Sequence, residues 1–352
     1  MVDTKCYCGW EGVVNLSIAI LTTTFNGHFM LQELVLRGLP VSSVVGLNSR
    51  EFAKLGSERA SSKAFSESAG INFFEAETYS LQSESDQNLF DSIDADYLLV
   101  LGWQRLVPKK IFTKFTSIGL HGSDKGISLG KGRSPQNWAL IMGAESFEFS
   151  AFLITEAVDS GEILGNAKVL INDCDDIQSL HMKVGFEAVK LLESILLEQD
   201  FHRLQSKAPI ENRAEISEFF PKRVPLDGAI DWNRQSVNIH NFIRALSYPY
   251  SGAFTVLNSE RVYVVKSRIL VTKSEDKFCP GRIRQILTTN QLVVECVDGL
   301  LLIDVATEFA QKIEAQDVFS STEFATQMKN IFSRHLSDNP NAPIASRLVE
   351  LR

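Results

Sequence analysis

Two residue types in one stretch can do chemistry together. His121 stands where the apolar run S-I-G-L-H-G-S ends, and Asp159 stands in E-A-V-D-S-G-E-I, read as the end of a later strand. An imidazole changes charge near neutral pH, and a neighbouring carboxylate can fix its tautomer and hold it protonated. Such a pair suits stabilising a developing oxyanion and handling a proton. A small residue, a serine and a glycine-rich loop follow His121, which leaves its ring facing an open crevice. The alternative reading is a strand-end histidine satisfied by a backbone carbonyl. His28, His181, His202, His240 and His335 have no comparable setting and are read as structural or surface residues.

Other chemistries fail on spacing. G-I-S-L-G-K-G-R (Gly126 to Arg133) is one residue short of a phosphate loop, and Gly132 stands where Ser or Thr would hold magnesium. The turn T-F-N-G-H after the first strand has one glycine, so a dinucleotide fingerprint is missing. Ser123 lacks the flanking glycines of a nucleophile elbow. Cys6 and Cys8 stand one residue apart with no second pair following, so no metal site is expected.

The elements that must position the pair alternate. Apolar runs at Leu16 to Leu21, Pro40 to Leu47, Ile71 to Phe74 and Tyr97 to Trp103 read as strands. Helical spacing at Phe29 to Arg37, Glu51 to Ser68 and Ser83 to Ile93 separates them. This order predicts an α/β fold, a doubly wound, mostly parallel sheet whose ligand crevice lies beyond the strands' carboxyl ends. A further strand at Gly165 to Asn172 and an amphipathic helix at about Asp176 to Gln199 follow. Five short strands between Ala253 and Ala306 predict a small antiparallel, OB-like β-barrel. The expected organisation is an arm at 1–15, a catalytic domain at 16–205, a linker at 206–226, the barrel at 227–319, and a helix and tail at 320–352.

At 352 residues and 44% hydrophobic content the chain can bury two cores. A net charge of -8 argues against coating nucleic acid or anionic membrane. The acid excess lies before Phe201, and the second half is faintly basic. Five cysteines without framework spacing point to a reducing compartment, with cytoplasm the expectation. No apolar run approaches a membrane span, so no membrane partner is expected.

Several segments resemble a family, in order. They are V-L-G-W-Q-R-L-V-P (Val100 to Pro108), I-G-L-H-G-S, G-R-S-P-Q-N-W-A-L-I and E-A-V-D-S-G-E-I-L. They look like the folate-binding and catalytic segments of N10-formyltetrahydrofolate-dependent formyltransferases. A-I-D-W-N, I-H-N-F-I-R-A-L, Y-P-Y-S-G-A-F-T and P-G-R-I resemble the barrel domain of methionyl-tRNA and nucleotide-sugar formyltransferases. The match covers about Leu16 to Thr307.

The resemblance implies formyl transfer from N10-formyltetrahydrofolate to a primary amine, through a tetrahedral intermediate. His121 would stabilise its charge or handle the proton, and Asp159 would orient His121. The pterin would lie against the backbone of Gln104, Arg105 and Val107 and of a strand comprising Thr155, Glu156, Ala157 and Val158. Asn26 and Gly27 would face the carrier of the amine, with Arg133 on the substrate side.

The chain departs from the family pattern at Gly119, where many relatives carry an asparagine donating to the formyl oxygen. Ser123 and Asn137 are the nearest substitutes. The loop between His121 and Pro135 lacks the usual Leu-Pro and looks about two residues longer, and that loop borders the acceptor site. The acceptor read from these features is a nucleotide-linked amino sugar. The rivals are methionyl-tRNA and a non-catalytic folate or nucleotide binder. The helix after Ser320 suits a homodimer.

Overall fold

A computed structural model of the chain describes residues 16–56, 59–198, 218–306 and 313–351. The arm at 1–15, Cys6 and Cys8 with it, and the first half of the linker lie outside the described residues. The described residues divide into two compact units. One holds those of 1–121, 148–169 and 181–198; the other holds those of 122–147, 170–180 and 218–351.

In chain order the first half contains β1 (Ile18–Leu21), α1 (Phe25–Leu36), β2 (Val41–Leu47), α2 (Ser49–Phe52), α3 (Lys63–Ser68) and β3 (Asn72–Ala76). Then come α4 (Glu84–Ser92), β4 (Tyr97–Val100), α5 (Lys109–Phe112), β5 (Thr116–Ser123), β6 (Lys131–Gly132) and α6 (Pro135–Ile141). It closes with β7 (Ser146–Leu153), β8 (Ile163–Leu170) and α7 (Ile177–Glu198). Seven strands form one sheet in the order β3-β2-β1-β4-β5-β7-β8. The pairs β2/β3, β1/β2, β1/β4 and β4/β5 are parallel. The mostly parallel, doubly wound sheet expected from the alternating pattern is therefore present. The chain builds outward from β1 to β3 and then adds β4 on the other side. That reversal opens a crevice between the loops after β1 and β4.

The strands β1 and β4 are buried on both faces, as their unbroken apolar runs require. Ala19, Leu21, Val45, Leu98, Phe90 and Trp103 are among the side chains of one continuous core on this unit. Three local readings change. Helix α1 starts at Phe25, not Phe29, because the Thr24 hydroxyl accepts from Gly27 N at 3.2 Å and caps it. The helix expected over Glu51 to Ser68 is two short ones. The strand expected to reach Trp103 stops at Val100.

Helix α7 buries His181, and that burial pushes its pKa down to about 4. The folded protein keeps the ring neutral while the unfolded chain takes up a proton as pH falls below its ordinary value of 6.5. This contribution to stability is complete above pH 6.5 and is lost as pH falls toward 4, up to about 3 kcal/mol in all. Replacing His181 with glutamine is expected to flatten the fall in urea-unfolding free energy between pH 7 and pH 4.5. An unchanged slope would show that the ring is charged in the folded state.

The second unit contains β9 (Phe219–Phe220), a 3-10 turn at Pro225–Gly228, and α8 (Ser236–Arg244). Its sheet is made of β10 (Ala253–Leu257), β11 (Glu260–Val271), β12 (Ile283–Thr288), β13 (Gln291–Glu295) and β14 (Leu300–Val305). The order is β10-β11-β14-β13-β12, antiparallel throughout. Both outer strands are met by one segment. Val256 bridges to Ser320, and Arg282, beside β12, bridges to Val318. The expected small barrel is thus closed by residues 318–320. Trp232 fills it, fully buried, stacked on Phe319 at 5.7 Å and donating through Nε1 to Thr255 Oγ1 at 3.0 Å.

Asp231, its neighbour in the A-I-D-W segment, accepts from Phe324 N at 2.9 Å, at the start of α9 (Phe324–Asp338). A short α10 (Ser346–Val349) ends the described chain. Helix α9 buries Phe324, Met328, Ile331 and Phe332 against its own chain, so its apolar stripe is already covered. No helix among the described residues is long and apolar enough to cross a membrane.

Candidate active site

His121 and Asp159 meet. Asp159 Oδ2 lies 3.6 Å from His121 Nδ1, with side chains 22% and 13% exposed. The route to this contact differs from the sequence expectation. Ile154 N donates to Ser117 O at 2.9 Å, while Phe152 lies beside Gly119, so β7 runs against β5. The side-chain pairs Glu148–Lys168 and Ser150–Asn166 likewise make β7 and β8 an antiparallel hairpin. Asp159 is therefore not at a strand end on the same edge as His121. It sits in loop 154–162, which turns back toward the histidine.

Asp159 turns with φ 45°, a left-handed conformation that Asp tolerates better than most residues. Ser160 Oγ donates to Val158 O at 2.7 Å within the same turn. The expected strand over Thr155 to Val158 is consequently a loop, in which Thr155, Glu156, Ala157 and Val158 are all exposed.

That loop neighbours the one after β4. Lys109 and Glu156 form an ion pair linking them. Between Leu101 and Pro108 the backbone belongs to no helix or strand. Gln104 N donates to Tyr79 Oη at 3.1 Å, and the Arg105 guanidinium lies over the Tyr79 ring at 5.3 Å. Val107 is a core side chain, 8% exposed, so only its backbone can meet a ligand. Leu106 and Val158 stand exposed at 63% and 43%, one on each loop. Trp103 Nε1 is buried with no hydrogen-bond partner among the described residues. Loop backbone outside any helix or strand, with two exposed apolar side chains, fits a flat heterocycle that has ring nitrogens and an apolar face.

Asn26 Oδ1 is buried beside α7, where a Cβ at Gly185 would lie 3.2 Å from it, and has no hydrogen-bond partner among the described residues. A buried amide oxygen in that state is suited to a polar group of a ligand. Gly27 has a different task from the one expected. A Cβ there would lie 2.0 Å from Leu101 O and 2.1 Å from Thr22 Oγ1, so Gly27 lets α1 pack against the exit of β4 and offers no surface to a substrate.

The two substitutes for the absent asparagine are committed elsewhere. Ser123 is fully buried; its hydroxyl donates to Gly126 O at 2.7 Å and accepts from Lys125 N at 3.0 Å. Asn137, on α6, donates through Nδ2 to Ala245 O at 2.7 Å, and its Oδ1 accepts from Tyr250 Oη at 3.4 Å. Both serve their own unit's structure. Arg133 N donates to Phe220 O at 2.9 Å, which fixes the backbone there.

Gly119 and His121 project from the same face of β5, two residues apart. A Cβ at Gly119 would stand 3.0 Å from Phe152 Cζ and 3.2 Å from Cε2. The Phe152 ring fills the space that a side chain at 119 would enter, an occupant the sequence reading missed. Gly119→Asn alone is therefore expected to overpack the site, costing about 1–3 kcal/mol in chemical denaturation with no gain in kcat. Adding Phe152→Val should recover part of that loss. A stable, faster single variant would refute this account of the glycine.

Residues 16–196 match the family model described as formyl transferase, and residues 224–323 match its C-terminal domain. The chain belongs to the formyl transferase family. It is 33% identical over 183 residues to the bifunctional polymyxin resistance protein ArnA of Wigglesworthia glossinidia brevipalpis, covering 52% of this chain and 26% of ArnA. The chain thus spans about a quarter of that relative. It is 29% identical over 244 residues to methionyl-tRNA formyltransferase of Thermodesulfovibrio yellowstonii, covering 69% and 75% of the two chains.

Among solved structures, HypX from Aquifex aeolicus in complex with tetrahydrofolic acid is similar with a TM-score of 0.55. The identity is 14%, over 82% of this chain and 44% of HypX. An N-formyltransferase from Helicobacter canadensis in complex with folinic acid and dTDP-3-aminofucose is similar with a TM-score of 0.51. Its identity is 16%, over 83% of this chain and all of the other.

Proposed function

We propose that this enzyme moves the formyl group of N10-formyltetrahydrofolate to the primary amine of a nucleotide-linked amino sugar. The observation that carries the chemistry is the 3.6 Å approach of Asp159 to His121 in a chain matched by both formyl transferase models. Asp159 holds one ring nitrogen and so turns the other toward the reacting carbon. As the amine attacks, charge builds on the formyl oxygen, and a ring carrying a proton donates to it. The amine's surplus proton passes, through the same imidazole or through water, to the folate nitrogen as its bond to the formyl carbon breaks, which releases tetrahydrofolate. With Phe152 in the place of a side chain at 119, the oxygen relies on His121 more than where an asparagine shares the load.

The donor lies against the loop backbone of Gln104 to Val107 and of Thr155 to Val158, with Leu106 and Val158 covering the pterin face. Asn26 accepts from the acceptor. For the acceptor itself, support comes from the small positive charge of the second half, which offers a polyanionic tRNA backbone little to grip. The Helicobacter canadensis relative binds an amino-sugar nucleotide. Similarity to a methionyl-tRNA formyltransferase over 69% of the chain supports that rival reading.

The two separate in one assay, in which formyltetrahydrofolate is supplied with dTDP- or UDP-linked amino sugars or with methionyl-tRNA. Tetrahydrofolate release with a sugar is the expected result. Release with methionyl-tRNA alone would give the enzyme to the rival. The expected site of action is the cytoplasm.

A further inference from the structure

The loop that leaves His121 is held by chain segments that neither family model covers. Asp124, 7% exposed, receives three contacts from Arg347: Nε lies 3.0 and 2.9 Å from its two carboxylate oxygens, and Nη2 lies 2.7 Å from Oδ1. Arg347 Nη1 donates to Glu218 Oε2 at 3.0 Å, and the guanidinium lies over the Phe220 ring at 4.7 Å. At the far end of the same loop, β6 pairs in parallel with β9, and β9 bridges in parallel to Ile344. Lys131 N donates to Glu218 O, Phe219 N to Pro343 O, and Ala345 N to Phe219 O.

Gly132, with φ 97°, is required in this ladder, since a Cβ would come within 2.4 Å of Phe220 O. Residues 218–220 and 343–347 fall outside the matched regions, 16–196 and 224–323. Beside the ion pair lies a cleft of about 610 Å³, bordered by Asp124, Lys125, Glu145 and Arg347.

We infer that Arg347 is a positioning residue that, with β9 and the Ile344 bridge, sets the shape of loop 122–134 and through it the affinity for the amine acceptor. The reasoning is one of continuity. Strand β5 runs through His121 to Ser123, and Asp124 follows immediately, so whatever anchors Asp124 fixes the first residues beyond the imidazole. The donor candidates lie on other loops, at Gln104 to Val107 and Thr155 to Val158. A change confined to 122–134 should therefore touch the acceptor and spare the folate. A forked guanidinium on a nearly buried carboxylate defines direction as well as distance, which lysine cannot reproduce.

The inference rests on the formyltransferase reading above, and the experiment keeps the two apart. Full-length wild type, Arg347→Ala, Arg347→Lys and the exchange variant Arg347→Asp with Asp124→Arg are compared. Backbone hydrogen exchange is read over 122–134, and kcat and both KM values are read with a dTDP-linked amino sugar, or with methionyl-tRNA if only that is turned over.

Arg347→Ala should speed exchange in 124–132 about tenfold while leaving β1 to β4 unchanged. It should raise the acceptor KM about tenfold, the equivalent of about 1.4 kcal/mol, with donor KM and kcat within about twofold. Arg347→Lys should fall between, and the exchange variant should recover part of the loss. Should Arg347→Ala fail to fold, the lysine and exchange variants carry the same comparison. Unchanged exchange in the loop, or both KM values rising together, would overturn the inference. A wild type inactive on every acceptor would end the proposed function instead, leaving exchange alone to decide whether the loop is held this way.

Discussion

Replacing His121 with asparagine is expected to lower kcat by about two to four powers of ten while folinic acid still binds, since in the proposed mechanism the imidazole both steadies the oxyanion and handles the proton. Asparagine keeps a donor of similar reach but cannot carry charge. The size of the effect follows from the surroundings. Ser123 and Asn137 spend their polar groups on Gly126, Lys125, Ala245 and Tyr250, and Phe152 occupies the space above Gly119. No other side chain read as a donor from the sequence remains to share the task. Single-turnover kinetics with saturating donor separates chemistry from binding. A variant within about fivefold of wild type would remove His121 from the mechanism, and the Asp159 contact would then be merely structural.

Trp138→Ala is expected to give the largest loss of stability of any single change considered, about 3–5 kcal/mol in urea unfolding. The Trp138 side chain is fully buried, and Nε1 donates to Pro221 O at 2.9 Å. The Arg223 guanidinium lies over its ring at 4.8 Å and over that of Phe242 at 5.3 Å. Burial pushes the Arg223 pKa down to about 10, so the group stays charged at neutral pH and depends on those ring faces. Truncation opens a cavity, strands a carbonyl and bares a buried cation together. Trp138→Phe should cost less, since it keeps a ring beneath the cation and loses only part of the volume and the Nε1 bond. Equal losses for the two variants would mean that the carbonyl bond, and not the ring, carries the effect.

The alternation of apolar runs and helical spacing was enough to read the sheet, because strands buried on both faces are written as unbroken Ile, Leu and Val. It was enough to read the barrel strands too, where turns recur between Ala253 and Val305. Helix starts were less legible. Thr24 caps α1 through a T-F-N-G sequence that looks like a turn, and only the hydrogen bond to Gly27 N distinguishes the two. The pairing of His121 with Asp159 was legible as chemistry but not as geometry. An antiparallel β7 and a left-handed turn at Asp159 bring them together, and neither direction of pairing nor sign of φ is encoded in apolar spacing.

Gly27 illustrates the same limit from the other side. A glycine in a crevice loop can serve a ligand or a neighbouring strand, and only the proximity of Leu101 O decides between them. The contact of Asp124 with Arg347 joins positions 223 residues apart, beyond the reach of any local pattern.

The closure of the barrel through Val318 to Ser320 bears on how the protein is made. During translation β10 and β12 exist as unsatisfied edges until that segment emerges, and exposed edges recruit other nascent strands. Synthesis interrupted after β14 would thus yield a sticky, half-finished product, for which holding by a chaperone matters more than for the mostly parallel sheet already complete upstream.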